Sequence, residues 1–166
     1  EMMEIREYAA AVDRRLREIM DGYCAGIPDR AGCLAAMEYS LSAGGKRIRP
    51  VLTMMICGMY GADEMTALDA ACAVEMMHTF SLIHDDLPCM DNDDIRRGKP
   101  SCHKAFGEAA ALLAGDALEI LPFRTIAESR TISPGAAVKC ISALARCAGE
   151  EGMLGGQQID TAPSDG

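Results

Sequence analysis

The chain has no tryptophan and only four tyrosines and three phenylalanines among its 166 residues. Sheet cores lean on aromatic and β-branched side chains, so this scarcity argues against a sandwich or barrel. Eight cysteines stand at 24, 33, 57, 72, 89, 102, 140 and 147, yet no pair has CxxC spacing, which leaves a zinc ribbon or a thioredoxin-type site unsupported. No apolar run approaches the roughly 20 residues that span a bilayer, and no secretory signal is visible at the start. Positive charge is short as well. Sixteen Lys and Arg face 25 Asp and Glu, a net charge of −9, whereas a general nucleic-acid binder leans the other way. An acidic total still leaves room for a local cationic pocket and an anionic small molecule.

The residues that are present point one way. Hydrophobic residues make up 49% and charged residues 25%, ordinary globular usage, and the length suits one domain over residues 1–166. Twelve methionines and recurrent Ala-rich runs favour helix, so an all-α domain is expected. Cys57, Cys72 and Cys140 lie in apolar helical stretches and read as buried free thiols of a reducing, cytoplasmic compartment. The chain opens at Glu1 rather than Met, so its native start is expected upstream.

Ile5, Ala9, Val12, Leu16 and Ile19 form one helical stripe, broken at Gly22 and Gly26–Pro28. A short helix is expected to hold Leu34, Met37 and Leu41 and to stop at Gly44–Gly45. Pro50 suits the first turn of a helix running to about Tyr60. Asp63 is a plausible N-cap for a helix from Glu64 to Asp86, and Pro88 disturbs its end. Asp91 to His103 reads as loop. A helix from about Phe106–Glu108 to Glu128 carries Pro122, which predicts a kink or an early stop. Ser133–Pro134 signals a helix ending near Gly149, Met153–Asp160 a last helical piece, and Ala162–Gly166 a tail of turn residues. No alternating strand pattern is convincing.

Five carboxylates crowd into Asp85-Asp86-Leu87-Pro88-Cys89-Met90-Asp91-Asn92-Asp93-Asp94. They form either a solvated acidic loop or a site for a hard divalent cation; the glycine and terminal glutamate of an EF-hand are absent. Mg²⁺ takes one or two carboxylates and fills its other positions with water and phosphate oxygens. Arg96, Arg97 and Lys99 follow at once. They either neutralise the neighbouring acids or share a phosphate or diphosphate with the metal.

A second cationic cluster, Gly44-Gly45-Lys46-Arg47-Ile48-Arg49-Pro50, puts glycines and a helix start beside positive charge. It lacks the P-loop spacing, and a solvated surface turn is the competing reading. His78 precedes Asp85 by seven residues, about two helical turns, so both point the same way along with Ser81 and Leu82. Gln157 and Asp160 share a helical face, as many surface pairs do.

In this order, Gly44–Pro50, His78–Pro88, Arg96-Arg97-Gly98, Leu113-Ala114-Gly115-Asp116-Ala117-Leu118 and Gly156-Gln157-Gln158-Ile159-Asp160 resemble the motifs of trans-prenyl diphosphate synthases, most closely the bacterial farnesyl/geranyl type. The likeness covers about residues 35 to 160. It implies an antiparallel helix bundle of the isoprenoid synthase type around a deep cavity. It also implies a Mg²⁺-dependent condensation of isopentenyl diphosphate with an allylic diphosphate such as dimethylallyl or geranyl diphosphate.

Carried over by residue, the resemblance makes Asp85 and Asp91 metal ligands with Asp86 in support. Arg96 becomes the holder of the allylic diphosphate and Asp160 a residue near the metals. Lys46, Arg49, His78 and Arg97 become the isopentenyl diphosphate contacts, with Gly45 and Gln157 joining the substrate-binding set. Asp85, Asp86, Asp91 and Arg96 are then the catalytic group. Asp85 and Asp91 are six apart, about 240° around a regular helix, so Pro88 and two extra residues are expected to bulge the chain; this interval resembles the bacterial-type variant. Phe80, five before Asp85, resembles the residue that narrows the product tunnel in a C15-type arrangement; an ordinary core Phe is the alternative.

The family's second aspartate-rich motif has no counterpart before Gly166, so the bundle is expected to be incomplete and this polypeptide inactive alone. The leading expectation is the N-terminal part of a complete synthase, a homodimer by resemblance. Its alternatives are a non-catalytic binding or regulatory subunit that pairs with a full-length synthase, and a structural fragment.

Overall fold

The computed structural model describes residues 4–29 and 32–162, so the sequence expectations at Glu1 and for the tail beyond Ala162 lie outside the described residues. The described residues form eight α-helices: α1 (Ile5–Cys24), α2 (Cys33–Leu41), α3 (Ile48–Met59), α4 (Leu68–Asp85), α5 (Cys102–Phe106), α6 (Glu108–Ala127), α7 (Pro134–Ala148) and α8 (Met153–Asp160). The all-α bundle expected from composition is therefore what forms.

α1 runs through Gly22 to Cys24. Its buried face is Tyr8, Val12, Leu16 and Met20, one residue per turn, while Ile5 is left largely exposed. The buried stripe shares Val12 and Leu16 with the expected one and adds Tyr8 and Met20, while Ala9 and Ile19 pack half-buried at its edge. The Asp29 carboxylate accepts from the amides of Leu34 at 3.1 Å and Ala35 at 3.0 Å and so satisfies the open start of α2. Pro50 lies in the first turn of α3 as expected. Asp63 accepts from the Met65 amide at 2.9 Å, but the turn it caps, Glu64–Ala67, is 3-10, and the α-helix begins only at Leu68.

α4 is buried on nearly every side, from Asp69 through Ile83. A helix buried over most of its circumference belongs in the middle of a bundle, and α4 is that middle, open only along the face of His78, Ser81 and Asp85. α6 lies along it through small residues, Ala110, Ala111, Ala114 and Gly115, all buried. At Gly115 the imidazole of His84 occupies the place where a Cβ would stand, so the two helices come closer than any larger residue would permit. Pro122 does not stop α6, which continues to Ala127. Pro122 is fully buried and the helix is held on both sides of it by Leu118, Leu121 and Ile126; packing overrides the missing N–H.

The stretch read as loop contains two elements. β1 (Ile95–Arg96) pairs antiparallel with β2 (Lys99–Pro100), Ile95 opposite Pro100 and Arg96 opposite Lys99. Arg97 and Gly98 between them both have positive φ, 53° and 77°, the demand of a tight two-residue hairpin. An Arg-Gly pair is a weaker hairpin signal than Asn-Gly, and a two-residue strand has no room to alternate. α5 follows, and the last two helices form as expected, with Ser133 Oγ accepting from the Ala136 amide.

The core joins Tyr8, Val12, Met37, Met54, Met76 and Leu118, all fully buried. Methionine, unbranched and adaptable, fills the space that aromatics would take elsewhere. Of the cysteines read as buried, Cys72 is; Cys57 and Cys140 are half-buried, and all eight are free thiols. Ile48, Leu52, Ile56 and Met59 lie four or three apart along α3 and are exposed.

Gly115→Ala is expected to cost about 2 kcal/mol in urea denaturation through overpacking between α4 and α6. Gly135→Ala, at a position in α7 with nothing within 4 Å, is expected to stabilise by about 0.5 kcal/mol.

Candidate functional site

The open face of α4 places the chemistry. His78, Ser81, Leu82 and Asp85 are half-buried while Thr79, Phe80 and Ile83 between them are buried, so the shared face expected from their spacing exists. Seven residues of helix separate His78 from Asp85 by about 10 Å along the axis.

At the end of α4 the chain curls back on itself. Leu87 N donates to His84 O at 3.2 Å, Met90 N to Leu87 O at 2.9 Å, Asn92 N to Leu87 O at 3.1 Å, and Asp91 N to Asp85 O at 2.9 Å. Asn92 takes a left-handed φ of 53° to do so. The six-residue interval therefore does not follow a helix; the turn at Pro88 brings Asp91 back beside Asp85. Burial, then the nearby Asp91 carboxylate, push the Asp85 carboxyl above the usual carboxylate range.

Asp86 points the other way. It is 2% exposed and receives the Arg96 fork, Nε at 3.1 and 3.2 Å and Nη2 at 2.5 Å. That hydrogen bond holds the Arg96 guanidinium charged, above its ordinary value. The structure thus shows Asp86 as the seat of Arg96, with Asp93 at 3.5 Å on the outer edge of the fork. The acidic loop is tied down by His103 Nε2 with Asp93 O at 2.9 Å and by Lys104 with Asp94 at 2.8 Å, contacts that loop reading did not foresee.

The cationic group gathers further back along α4. Arg49 Nη1 lies 3.4 Å from His78 Nε2. Arg97 donates to Gly44 O, and its guanidinium lies against Gly45, where a Cβ would be 2.8 Å from Nη1. Glycine is needed there twice over, for space and for its φ of 141°. Burial, and the company of Arg47, Arg96 and Arg49, lower the Arg97 pKa, with Glu75 opposing. Lys46 and Arg49 are exposed. Arg47 departs from the expected cluster: it is 6% exposed and points into the protein, where it pairs with Asp13 and Glu75. Sequence gave no sign of this beyond the position of Glu75 one turn before His78.

Gln157 of α8 donates to Asp85 Oδ1, so the structure brings this distant pair together across 72 positions. Asp160, one turn on, is exposed at the end of α8. Among the described residues no three or more His, Cys, Asp or Glu converge into a ready-made metal cage. The donor set nevertheless fits a hard cation that asks for one or two carboxylates, since a cation between Asp85 and Asp91 would relieve the repulsion that raises Asp85.

A family model described as polyprenyl synthetase matches residues 31–165. Geranylgeranyl pyrophosphate synthase 7, chloroplastic, of Arabidopsis thaliana is 57% identical over 125 residues, 75% of this chain and 36% of that protein. The heterodimeric geranylgeranyl pyrophosphate synthase large subunit 1, chloroplastic, of the same plant is 57% identical over 128 residues, again 75% of this chain and 34% of that one. The chain spans about a third of the length of these relatives. The crystal structure of an FPP/GFPP synthase from Zymomonas mobilis superposes with a TM-score of 0.85 at 41% identity, covering 97% of this chain and 59% of that one.

His78 carries a pH prediction. Burial, then Arg49, lower its pKa from 6.5, so the folded protein favours the neutral ring. The associated stability is complete above pH 6.5 and is lost as pH falls through the lowered value. In an NMR titration the His78 ring is expected to titrate below 6.5, and Arg49→Met is expected to move it upward.

Proposed function

The chain belongs to the polyprenyl synthetase family, and on that premise we propose that it carries the diphosphate-handling half of a prenyl diphosphate synthase that joins isopentenyl diphosphate to an allylic diphosphate. The observation that carries the reading is the division of the α4 face: a cationic group around His78 at one end and the Asp85–Asp91 turn with Arg96 at the other. Two diphosphates need two such ends, held at a distance that lets their carbon chains meet between them.

Lys46, Arg49 and Arg97 bind the isopentenyl diphosphate, with neutral His78 and the Gly45 backbone completing the contact. Arg96, held charged by Asp86, faces the allylic diphosphate. Asp85 and Asp91, with Asp160 nearby, would hold Mg²⁺, which supplies neutralisation of the diphosphate as it leaves. The bond between allylic carbon and diphosphate oxygen breaks, the isopentenyl double bond attacks that carbon, and a proton leaves the new chain for the departed diphosphate. Arg96 stabilises the charge that develops on the leaving oxygen. Leu82 and Ile83, which line one pocket with Arg96 and Arg97, limit water near the allylic cation.

The product is short, C15 to C20. Phe80, 4% exposed and edge-on to His84 at 4.8 Å, supports the C15 end expected from sequence; the geranylgeranyl relatives support C20. The free state of all eight cysteines supports a reducing compartment. The exposed apolar stripe of α3 favours a second reading, a binding or regulatory chain that pairs with a full-length synthase, as the relative named as a heterodimeric large subunit does with its own partner. The same stripe serves a homodimer of the intact enzyme.

In calorimetry on the purified chain, Lys46→Ala and Arg49→Ala are each expected to weaken isopentenyl diphosphate by about tenfold, the worth of about 1.4 kcal/mol. Binding that ignores both changes sinks the reading. Prenyl product formed by the chain by itself from isopentenyl and dimethylallyl diphosphates with Mg²⁺ excludes the subunit reading; a change in the product length or rate of a full-length synthase when the chain is added upholds it, and an unchanged rate and product length count against it.

A further inference from the structure

Within the cationic loop, Arg47 turns inward while Lys46 and Arg49 on either side stay exposed. Its guanidinium meets three separate elements: Nε donates to Asp13 of α1 at 2.8 Å, Nη1 to Glu75 of α4 at 2.6 Å, and Nη2 to Leu41 O at the end of α2 at 2.7 Å. Its backbone is left-handed, φ 49°, a conformation that residues with a Cβ disfavour. Its carbonyl accepts the first amide of the next helix, from Val51 at 3.1 Å. One side chain thus fixes a strained junction between α2 and α3 to partners 34 and 28 positions away.

We propose that Arg47 is the positioning residue of the cationic pocket: its buried guanidinium sets where Lys46, Arg49 and Arg97 present their charge to a diphosphate. The inference rests on the reading of that pocket given above. Three features connect the anchor to the pocket. Glu75, which seats Arg47, is one turn before His78 on α4, and Thr79 Oγ1 closes onto Glu75 O at 2.9 Å. Arg49, two residues beyond Arg47, reaches that same His78. Gly44 and Gly45, just before Arg47, receive Arg97 from the hairpin. The position of each cation is therefore referred to the Arg47–Glu75 contact.

The charge arrangement also fits. Arg47 is neutralised within the protein by Asp13 and Glu75, so it adds no net repulsion among Lys46, Arg49 and Arg97, and their charge stays available to an anion. A lysine at 47 keeps the charge but cannot reach three acceptors in one plane.

The test uses the full 166-residue chain with two readouts: the His78 ring resonances at pH 7.5, and isopentenyl diphosphate affinity by calorimetry. Arg47→Lys is expected to shift the His78 signals and weaken affinity by about tenfold, with helical content by circular dichroism retained. Ile126→Ala, in the separate small cluster with Ala73 and Ala137, serves as a control for general destabilisation and is expected to leave both readouts as in the parent. Glu75→Gln, which keeps an acceptor oxygen, is a milder variant for use should Arg47→Lys fail to fold; it is expected to move both readouts in the same direction. Unshifted His78 signals with parental affinity overturn the proposal, as does an equal response in Ile126→Ala. A parent chain that binds no isopentenyl diphosphate sinks the functional reading instead, and the His78 signals still decide the role of Arg47.

Discussion

The close approach of α4 and α6 is the constraint on which the rest of the molecule depends. α4 carries His78 and Asp85, with Asp86 the residue that follows its end, and it can do so only because its other sides are packed. Ala111, Ala114 and Gly115 let α6 lie against it with almost nothing in between, and His84 fills the gap that the missing Cβ of Gly115 leaves. His84 then bonds Leu112 O at 3.1 Å, so the residue directly before Asp85 is locked to the neighbouring helix. The direction in which Asp85 and Asp86 point follows from that lock.

Charge is distributed on the same plan throughout. Each strongly buried ionic group has a partner from a different element: Asp86 with Arg96, Glu75 with Arg47, Asp69 with Arg15 at 2.7 Å. Breaking such a pair leaves a desolvated charge uncompensated, which is far more costly than losing a surface contact. Lys46, Arg49 and the Asp85–Asp91 pair, which have no such ion pair among the described residues, lie on the open side.

Much of this was legible in the sequence. The helices follow from period, caps and breakers, and Asp63, Ser133 and Pro50 stand where local chemistry puts them. The facing of His78 and Asp85 follows from seven residues of helix, and the need for a bulge before Asp91 from the angle between six. What could not be read depends on tertiary packing. Nothing local separates Arg47 from Lys46 and Arg49, because its inward turn is decided by Asp13 and Glu75, 34 and 28 positions away. Pro122 is a breaker in isolation and a buried helical residue in context. The Arg97–Gly98 hairpin is too short to show alternation, and Asp86 could be assigned to Arg96 only once the hairpin had folded back. Product length is not legible from Phe80 alone, because the depth of a tunnel depends on every helix that walls it.

α8 has no buried residue. Its hold on the body comes from α7, from half-buried Met153 against the core and from Gln157 on Asp85, so little apolar area opposes its departure. Such an element exchanges its amides early, through local opening rather than global unfolding. The carboxylate it leans on is also one of those that would hold Mg²⁺ in the proposed function. Neutralising Asp85 changes what the Gln157 amide is attracted to, and by reciprocity the docking of α8 changes how readily Asp85 accepts a cation. Amide exchange in a helix at the far end of the sequence thereby becomes a gauge of what occupies the end of α4.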